Sequence, residues 1–223
     1  MNFSWSIIMM MLGIFLQPPG APAVDLVKLP PPALKGAVSV EEALQKRRTV
    51  RRFASRSLDL QQISQLLWAT QGITDPRGLR TAPSAGATYP LEIYLVAGDR
   101  GVTGLAPGIY RYHPQGHALE LTLKGDHRAP VARACLGQSW MATAPVMVVF
   151  TAEFQRCAAR YGERGKMYTH MEVGHAGENL FLQTQALRLA AGIVGAFTDR
   201  DVSQTLNLPR EHEPLLVMPV GYK

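Results

Sequence analysis

What most limits the folds open to this chain is the order of its patterned segments. Stretches of helical period and stretches of strand character follow one another without a regular strand–helix–strand alternation. That argues for an α+β fold rather than a doubly wound one. A helix starts after Ser39, a suitable N-cap, with Glu41 and Glu42 in the first turn where the helix dipole favours acids. It is expected to run into Arg47 and Arg48. Leu58 to Gln71 reads as a second helix, with Leu60, Ile63, Leu66 and Leu67 on the 3.6-residue period. Leu91 to Ala97 is an apolar run of strand length. Residues 108–112 and 118–123 read as a hairpin turning at His113–Gly116. A short helix is expected over His127–Gly137, a buried strand over Pro145–Thr151, a long helix over Tyr168–Ala191 and a last strand over Pro214–Val220. Gly174 and Gly177 are costly within a helix, and suit close packing against another helix or a subunit.

Two short stretches carry the chemistry. Arg47-Arg48-Thr49-Val50-Arg51-Arg52 packs four arginines and a hydroxyl into six positions. A helix continuing through them would bring Arg47 and Arg51 to one face. Guanidinium forks match phosphate oxygens. From spacing alone, a solvated basic turn accounts for the cluster at least as well. The second stretch, Ala82-Pro83-Ser84-Ala85-Gly86-Ala87-Thr88-Tyr89-Pro90, is a loop of small residues at the head of the Leu91–Ala97 strand. Such a loop lets a flat ligand approach the backbone. Together the stretches suit a molecule with a dianionic phosphate at one end and a planar ring at the other, the shape of flavin mononucleotide (FMN).

At these residues the chain resembles the FMN-dependent nitroreductase-like flavoproteins, and within them the SagB-type (thiazole/oxazole-forming) dehydrogenases. Five segments carry the resemblance in order: Arg47–Phe53, Leu66–Thr74, Arg80–Pro90, Gly108–Tyr112 and Met218–Tyr222. The resemblance covers roughly Val40 to Lys223. It implies a central, mostly antiparallel sheet flanked by helices, in an intertwined homodimer with flavin near the subunit interface. Arg47, Arg48, Thr49 and Arg51 would hold the phosphate. Pro83, Ser84, Ala85 and Gly86 would line the isoalloxazine, and Gln138 its pyrimidine edge. The segment around Val194, Gly195 and Ala196 would offer backbone N–H groups near the reactive nitrogen N5. Lys223 occupies the place of a basic residue that the family often sets near the phosphate. The implied activity is an FMN-dependent oxidoreductase that moves hydride through N5, with a small-molecule substrate and NAD(P)H as a candidate reductant. Azoline oxidation in peptide modification is the alternative, and a flavin-binding module without turnover is another. One departure bears on that choice. The azoline-oxidising members carry a Lys-Tyr pair near the flavin, and here Arg160-Tyr161 stands in the corresponding place. Tyr161 can exchange a proton, but an arginine is a poor base.

The remaining features bound the reading. A formal charge of +6 fits anionic cofactors. It does not by itself imply nucleic acid, and no aromatic platform accompanies the arginines beyond Phe53. His170 and His175 are five apart rather than four, so no metal site is expected, and they read with Glu172 and Glu178 as packing or interface residues. His212, between Glu211 and Glu213, reads as an exposed turn. No Gly-x-Ser-x-Gly or Gly-x-Gly-x-x-Gly pattern stands in a supporting context. Cys135 and Cys157 are either free thiols or one bridge. Residues 1–23 read as a signal peptide: Ile7–Leu16 is apolar, too short to span a bilayer, and Ala21-Pro22-Ala23 suits cleavage. Export is the expectation, although the leader lacks Lys and Arg. The Met9-Met10-Met11 run allows a later start codon, which would leave the protein cytoplasmic. Residues 24–38 read as a Pro-rich linker and residues 39–223 as one domain.

Overall fold

The computed structural model describes residues 26–223, so the leader expected over residues 1–23 lies outside the described residues. The centre is a seven-stranded sheet with the order β1-β4-β3-β2-β5-β7-β6, every pairing antiparallel. Its strands are β1 (Leu26–Lys28), β2 (Leu91–Ala97), β3 (Gly108–His113), β4 (Ala118–Lys124), β5 (Val146–Ala152), β6 (Ala190–Ala191) and β7 (Glu213–Gly221). The helices are α1 (Val40–Lys46), α2 (Leu60–Gln71), α3 (Arg128–Ala134), α4 (Phe154–Tyr161), α5 (Arg164–Ala186) and α6 (Asp199–Leu206).

Both faces of the sheet are covered, which is why β2 and β5 read as mostly apolar runs. Leu91, Ile93 and Leu95 of β2 and Val146, Val148 and Phe150 of β5 pack with Ile63, Leu66 and Leu67 of α2 and Ala176, Leu180 and Phe181 of α5. The alternate residues Tyr94, Val96, Met147 and Val149 pack on the other face, with Val131 of α3 and Val202 and Leu206 of α6. The α+β expectation and the flanked antiparallel sheet both hold.

Several expectations need correction. α1 is capped by Ser39, whose Oγ accepts from the Glu42 N–H, but it ends at Lys46. Arg47 turns out of the helix at ψ 125°, and the Arg48 guanidinium donates to the Gln45 and Arg47 carbonyls, closing the helix C-terminus. Thr49 bridges to Ala191 and the Val50 N–H donates to the Ala191 carbonyl at 2.9 Å. The arginines therefore sit on an extended segment beside β6, not on one helical turn. The long helix is shifted: α5 begins at Arg164 and ends at Ala186, because Ala190 and Ala191 pair with β7 instead. A Cβ on Gly177 would come within 3.2 Å of Leu216, so its smallness serves packing on β7, not on a helix or subunit. His212 is buried, not exposed, with Nδ1 2.7 Å from the Tyr94 hydroxyl. Cys135 and Cys157 are buried free thiols; burial pushes the Cys135 thiol up to about 11. The segment expected as a linker is extended but packed: β1 pairs with β4 and Leu29 is buried. α2 carries a reciprocal cap between Asp59 and Gln62, a strong local start signal one to two residues inside the expected boundary.

Candidate functional site

The candidate residues fall into two groups. The first is built on the segment beside β6. Arg47 lies over the Phe181 ring, 5.1 Å from its centroid, with Nε 3.8 Å from Glu178. Arg51 faces the Trp140 ring at 5.9 Å. Arg48, Arg51 and Lys223 have no carboxylate partner among the described residues. Trp140 also touches the place where a Gly192 side chain would be, 2.7 Å from a Cβ there. Gly192 thus lets the 192–196 segment run close to Val50 and Trp140. The Gln138 amide donates to the Cys135 carbonyl at 3.1 Å and to the Ala196 carbonyl at 3.4 Å, which leaves its side-chain oxygen uncommitted. The N–H groups of Gly192 and Val194 are not free for a ligand. They donate to Pro219 and Val217 of β7, each at 2.9 Å. This corrects the expectation at Val194: in an extended segment alternate N–H groups face opposite ways, so those of Ile193 and Gly195 point away from the sheet. Within one chain, Thr49 nevertheless lies beside Ala191, Arg51 beside Trp140 and Gln138 beside Ala196.

The second group is the Pro83–Tyr89 loop, where residues 85–87 form a single 3₁₀ turn. Gly86, Ala87 and Tyr89 all hold left-handed backbone, with φ of 58°, 53° and 46°. Each such non-glycine residue costs about 1–2 kcal/mol, and surrounding bonds must hold it. The bonds are present. The Tyr89 N–H donates to Ser84 Oγ at 2.9 Å, and Arg156 donates to the Tyr89 carbonyl at 3.2 Å. One helical turn further along α4, Arg160 donates to the Gly86 carbonyl at 3.1 Å. A Cβ on Gly86 would fall 2.5 Å from the Tyr161 hydroxyl and 2.8 Å from Arg160 Nη1. The structure thus brings Ser84, Ala85 and Gly86 together with Arg160 and Tyr161, from segments about 75 residues apart in sequence.

Beneath the loop lies a buried polar chain. The Glu172 carboxylate, on α5, accepts from Gln71 Nε2 at 3.2 Å and lies beside Ser84. Gln71 Oε1 accepts from Arg80 at 3.1 Å, and Arg80 lies over the Tyr89 ring at 4.4 Å. Burial raises the Glu172 pKa, an effect that Ser84, the Gln71 hydrogen bond and the nearby Arg80 charge oppose. Burial likewise lowers that of Arg80, with Glu92 and Glu172 opposing it. Ser84 Oγ is engaged by the Tyr89 N–H within the loop, and the loop offers a ligand its backbone and small side chains, with Pro83, Gly86 and Ala87 exposed. Glu172 was visible in the sequence only as a packing residue. Gln71, Arg156 and Trp140 carried no signal as site residues, though Arg156 lies one helical turn from Arg160.

The two groups do not meet within one chain. Ser84 reaches α5 at Glu172 and Arg47 reaches it at Phe181, about two and a half turns further on, which is the opposite side of the helix. No hydrogen bond, ion pair or ring contact joins the groups among the described residues. Those residues contain no cluster of His, Cys, Asp and Glu able to hold a metal, and none of their helices is long and apolar enough to cross a membrane.

A flanked antiparallel sheet, a strained loop of small residues and a basic segment beside the sheet edge define an oxidoreductase of the nitroreductase class. The chain belongs to the Nitroreductase family, whose pattern matches residues 44–222. It is similar to a nitroreductase-like protein of Methanocaldococcus jannaschii, 42% identical over 83% of this chain and 92% of that protein. It is also similar to the microcin B17-processing protein McbC of Escherichia coli, 28% identical over 74% of this chain and 62% of McbC. Among solved structures, a nitroreductase-like protein from Ralstonia eutropha superposes with a TM-score of 0.77 at 27% identity, covering 94% of this chain and 95% of that one. A chain of the E. coli microcin synthetase McbBCD complex shares the fold with a TM-score of 0.68 at 23% identity, covering 86% of this chain and 76% of its own length.

Proposed function

We propose that this nitroreductase-family oxidoreductase binds FMN at a site completed by two copies of the chain, and uses it to reduce a small-molecule acceptor at the expense of NAD(P)H. The observation that carries the reading is the separation of two half-sites on opposite sides of α5. One offers cations suited to a phosphate and the other an exposed loop of small residues suited to a planar ring. A second copy can bring the loop of one chain to the arginines of the other. The exposed side of α5 supplies a surface for it, with Met167, Met171 and the open Gly174 at adjacent turns, and Ile193 exposed beside the 192–196 segment.

The residues fit the cofactor. The arginine segment is basic and has little internal neutralisation, and Pro83, Gly86 and Ala87 leave the outer face of the loop free of large side chains. Arg47, Arg51 and Lys223, with Thr49, would bind the phosphate. Ser84, Ala85 and Gly86 would face the ring, with Gln138 Oε1 and the Gly195 N–H at its polar edges. Bound FMN would supply two-electron hydride chemistry, which no side chain here provides. The protein's part is to bind, to exclude water and to hold a phenolic proton at Tyr161.

Similarity to McbC favours a second reading, azoline oxidation in peptide modification. That reaction needs a base to remove a substrate proton. Arg160 is fixed as a cation and bonded to the Gly86 carbonyl, so the reductive direction is favoured. The test is a purified preparation of residues 24–223. A yellow protein that releases FMN on denaturation, reduced by NADPH or NADH, supports the assignment. Changing Arg47 and Arg51 together to Ala should strip the flavin. Full occupancy in that variant would refute the phosphate assignment, and turnover of a thiazoline peptide would favour the second reading.

A further inference from the structure

At the turn between α4 and α5, Arg160 and Tyr161 lie against Gly86, and Tyr168 and Arg164 pack on in turn. Tyr161 and Tyr168 pack edge to face, with ring centroids 5.3 Å apart at 87°. The Arg160 guanidinium lies 5.5 Å from the Tyr161 ring, and that of Arg164 lies 5.3 Å from the Tyr168 ring. Arg164 Nε donates to the Tyr168 hydroxyl at 3.0 Å, and Arg160 Nη1 to the Gly86 carbonyl. Each guanidinium thus spends one of its N–H donors within the chain and keeps the rest. Neither arginine has a carboxylate partner among the described residues, although Glu163 stands between them in sequence. Both arginines are exposed and both tyrosines are half-buried, so cations and ring faces are presented together.

We propose that Arg160, Arg164, Tyr161 and Tyr168 form a substrate-recognition face for a planar ring that carries an anionic substituent: a carboxylate, sulfonate or phosphate. The proposal rests on the flavin reading for its catalytic meaning, and it narrows the substrate class of that site. The rings offer stacking and edge contacts, and the paired guanidinium groups hold the anion by charge-assisted hydrogen bonds. Arg160 supplies a permanent positive charge tied to the loop through the Gly86 carbonyl. Both an anionic acceptor and a phosphate-bearing dinucleotide donor have this chemistry, and the experiment separates them.

Isothermal titration of the purified protein compares 4-nitrobenzoate with its neutral analogue 4-nitrobenzamide. The anion should bind about three- to tenfold tighter at low salt, with the margin shrinking as salt is added. The double variant Arg160→Gln/Arg164→Gln should abolish the margin, and Arg164→Lys should keep most of it. Steady-state KM values for NADPH and for neutral 1-methyl-1,4-dihydronicotinamide form the second arm. A margin lost in that arm identifies the donor, and one lost in the first identifies the acceptor. Equal binding of both members of each pair, or margins that survive the double variant, would overturn the proposal. Protein that takes no flavin yet selects the anion would sink the flavin reading and keep this one. Flavin-loaded protein without selectivity would do the reverse.

Discussion

Gly86→Ala is the substitution on which the loop geometry makes its most specific statement. Gly86 sits at φ 58°, where an L-residue costs about 1–2 kcal/mol. The added Cβ would also lie 2.5 Å from the Tyr161 hydroxyl and 2.8 Å from Arg160 Nη1, closer than such contacts occur. Relief requires Arg160 to let go of the Gly86 carbonyl. An ordinary hydrogen bond is worth about 0.5–1.5 kcal/mol, and the exposure of Arg160 places this one at the low end. The sum is about 1–3 kcal/mol, or a fall in Tm of about 3–10 °C for a domain of this size. Gly78 provides the control. Its φ is 84°, but nothing lies within 4 Å of a Cβ there. Gly78→Ala therefore meets the conformational cost alone. Urea unfolding of Gly86→Ala, Gly78→Ala and Gly86→Ala in a Tyr161→Phe background measures the difference. Gly86→Ala should be the least stable and should lose flavin. Removing the Tyr161 hydroxyl should recover part of the loss. Equal stability of the two alanine variants, with flavin retained in both, would refute the reasoning that Tyr161 and Arg160 rest on the loop.

Two titrating groups should shape stability in opposite directions. Burial raises the Glu172 pKa above its ordinary 4.5, so the unfolded chain loses that proton first and stability falls as pH rises above that value; Glu172→Gln should flatten this limb in pH-dependent thermal melts. Burial lowers the His212 pKa below its ordinary 6.5, so the unfolded chain gains the proton first and stability falls as pH drops below 6.5; His212→Gln, which keeps a polar partner for Tyr94, should flatten that limb. Leu66→Ala removes a buried side chain between α2 and the sheet and should cost about 2–5 kcal/mol in urea unfolding, while flavin per folded molecule stays unchanged.

The sheet and its major helices were legible because both faces are covered. β2 and β5 then read as mostly apolar runs, broken only by Glu92 and Thr151, and α2 announces itself through its cap at Asp59. The short elements were not. α4 buries only Cys157, and α6 only Val202 and Leu206, too little apolar periodicity to stand out. The end of α5 was misplaced because Leu189, Ala190 and Ala191 suit a helix locally, while β7 offers them a strand partner that sequence does not reveal. The site was legible as residue types but not as an arrangement. The helical reading of Arg47 and Arg51 failed on the pairing of Thr49 with Ala191. The buried chain of Glu172, Gln71 and Arg80 depends on contacts between α2, α5 and the loop, which no spacing encodes. His212 looked exposed from its acidic neighbours, yet Tyr94 on β2 gives it a buried partner.

The composite site is tested most directly by subunit complementation. One copy carries Arg47→Ala and Arg51→Ala and the other carries Gly86→Leu, with different tags, and the mixed dimer is isolated after co-expression. Each variant alone should be colourless. The mixed dimer should regain flavin in one of its two sites, the one where an intact loop meets intact arginines, and its visible absorbance should read half that of wild type. A mixed dimer as colourless as its parents, beside a yellow wild type, would contradict a site shared between two chains.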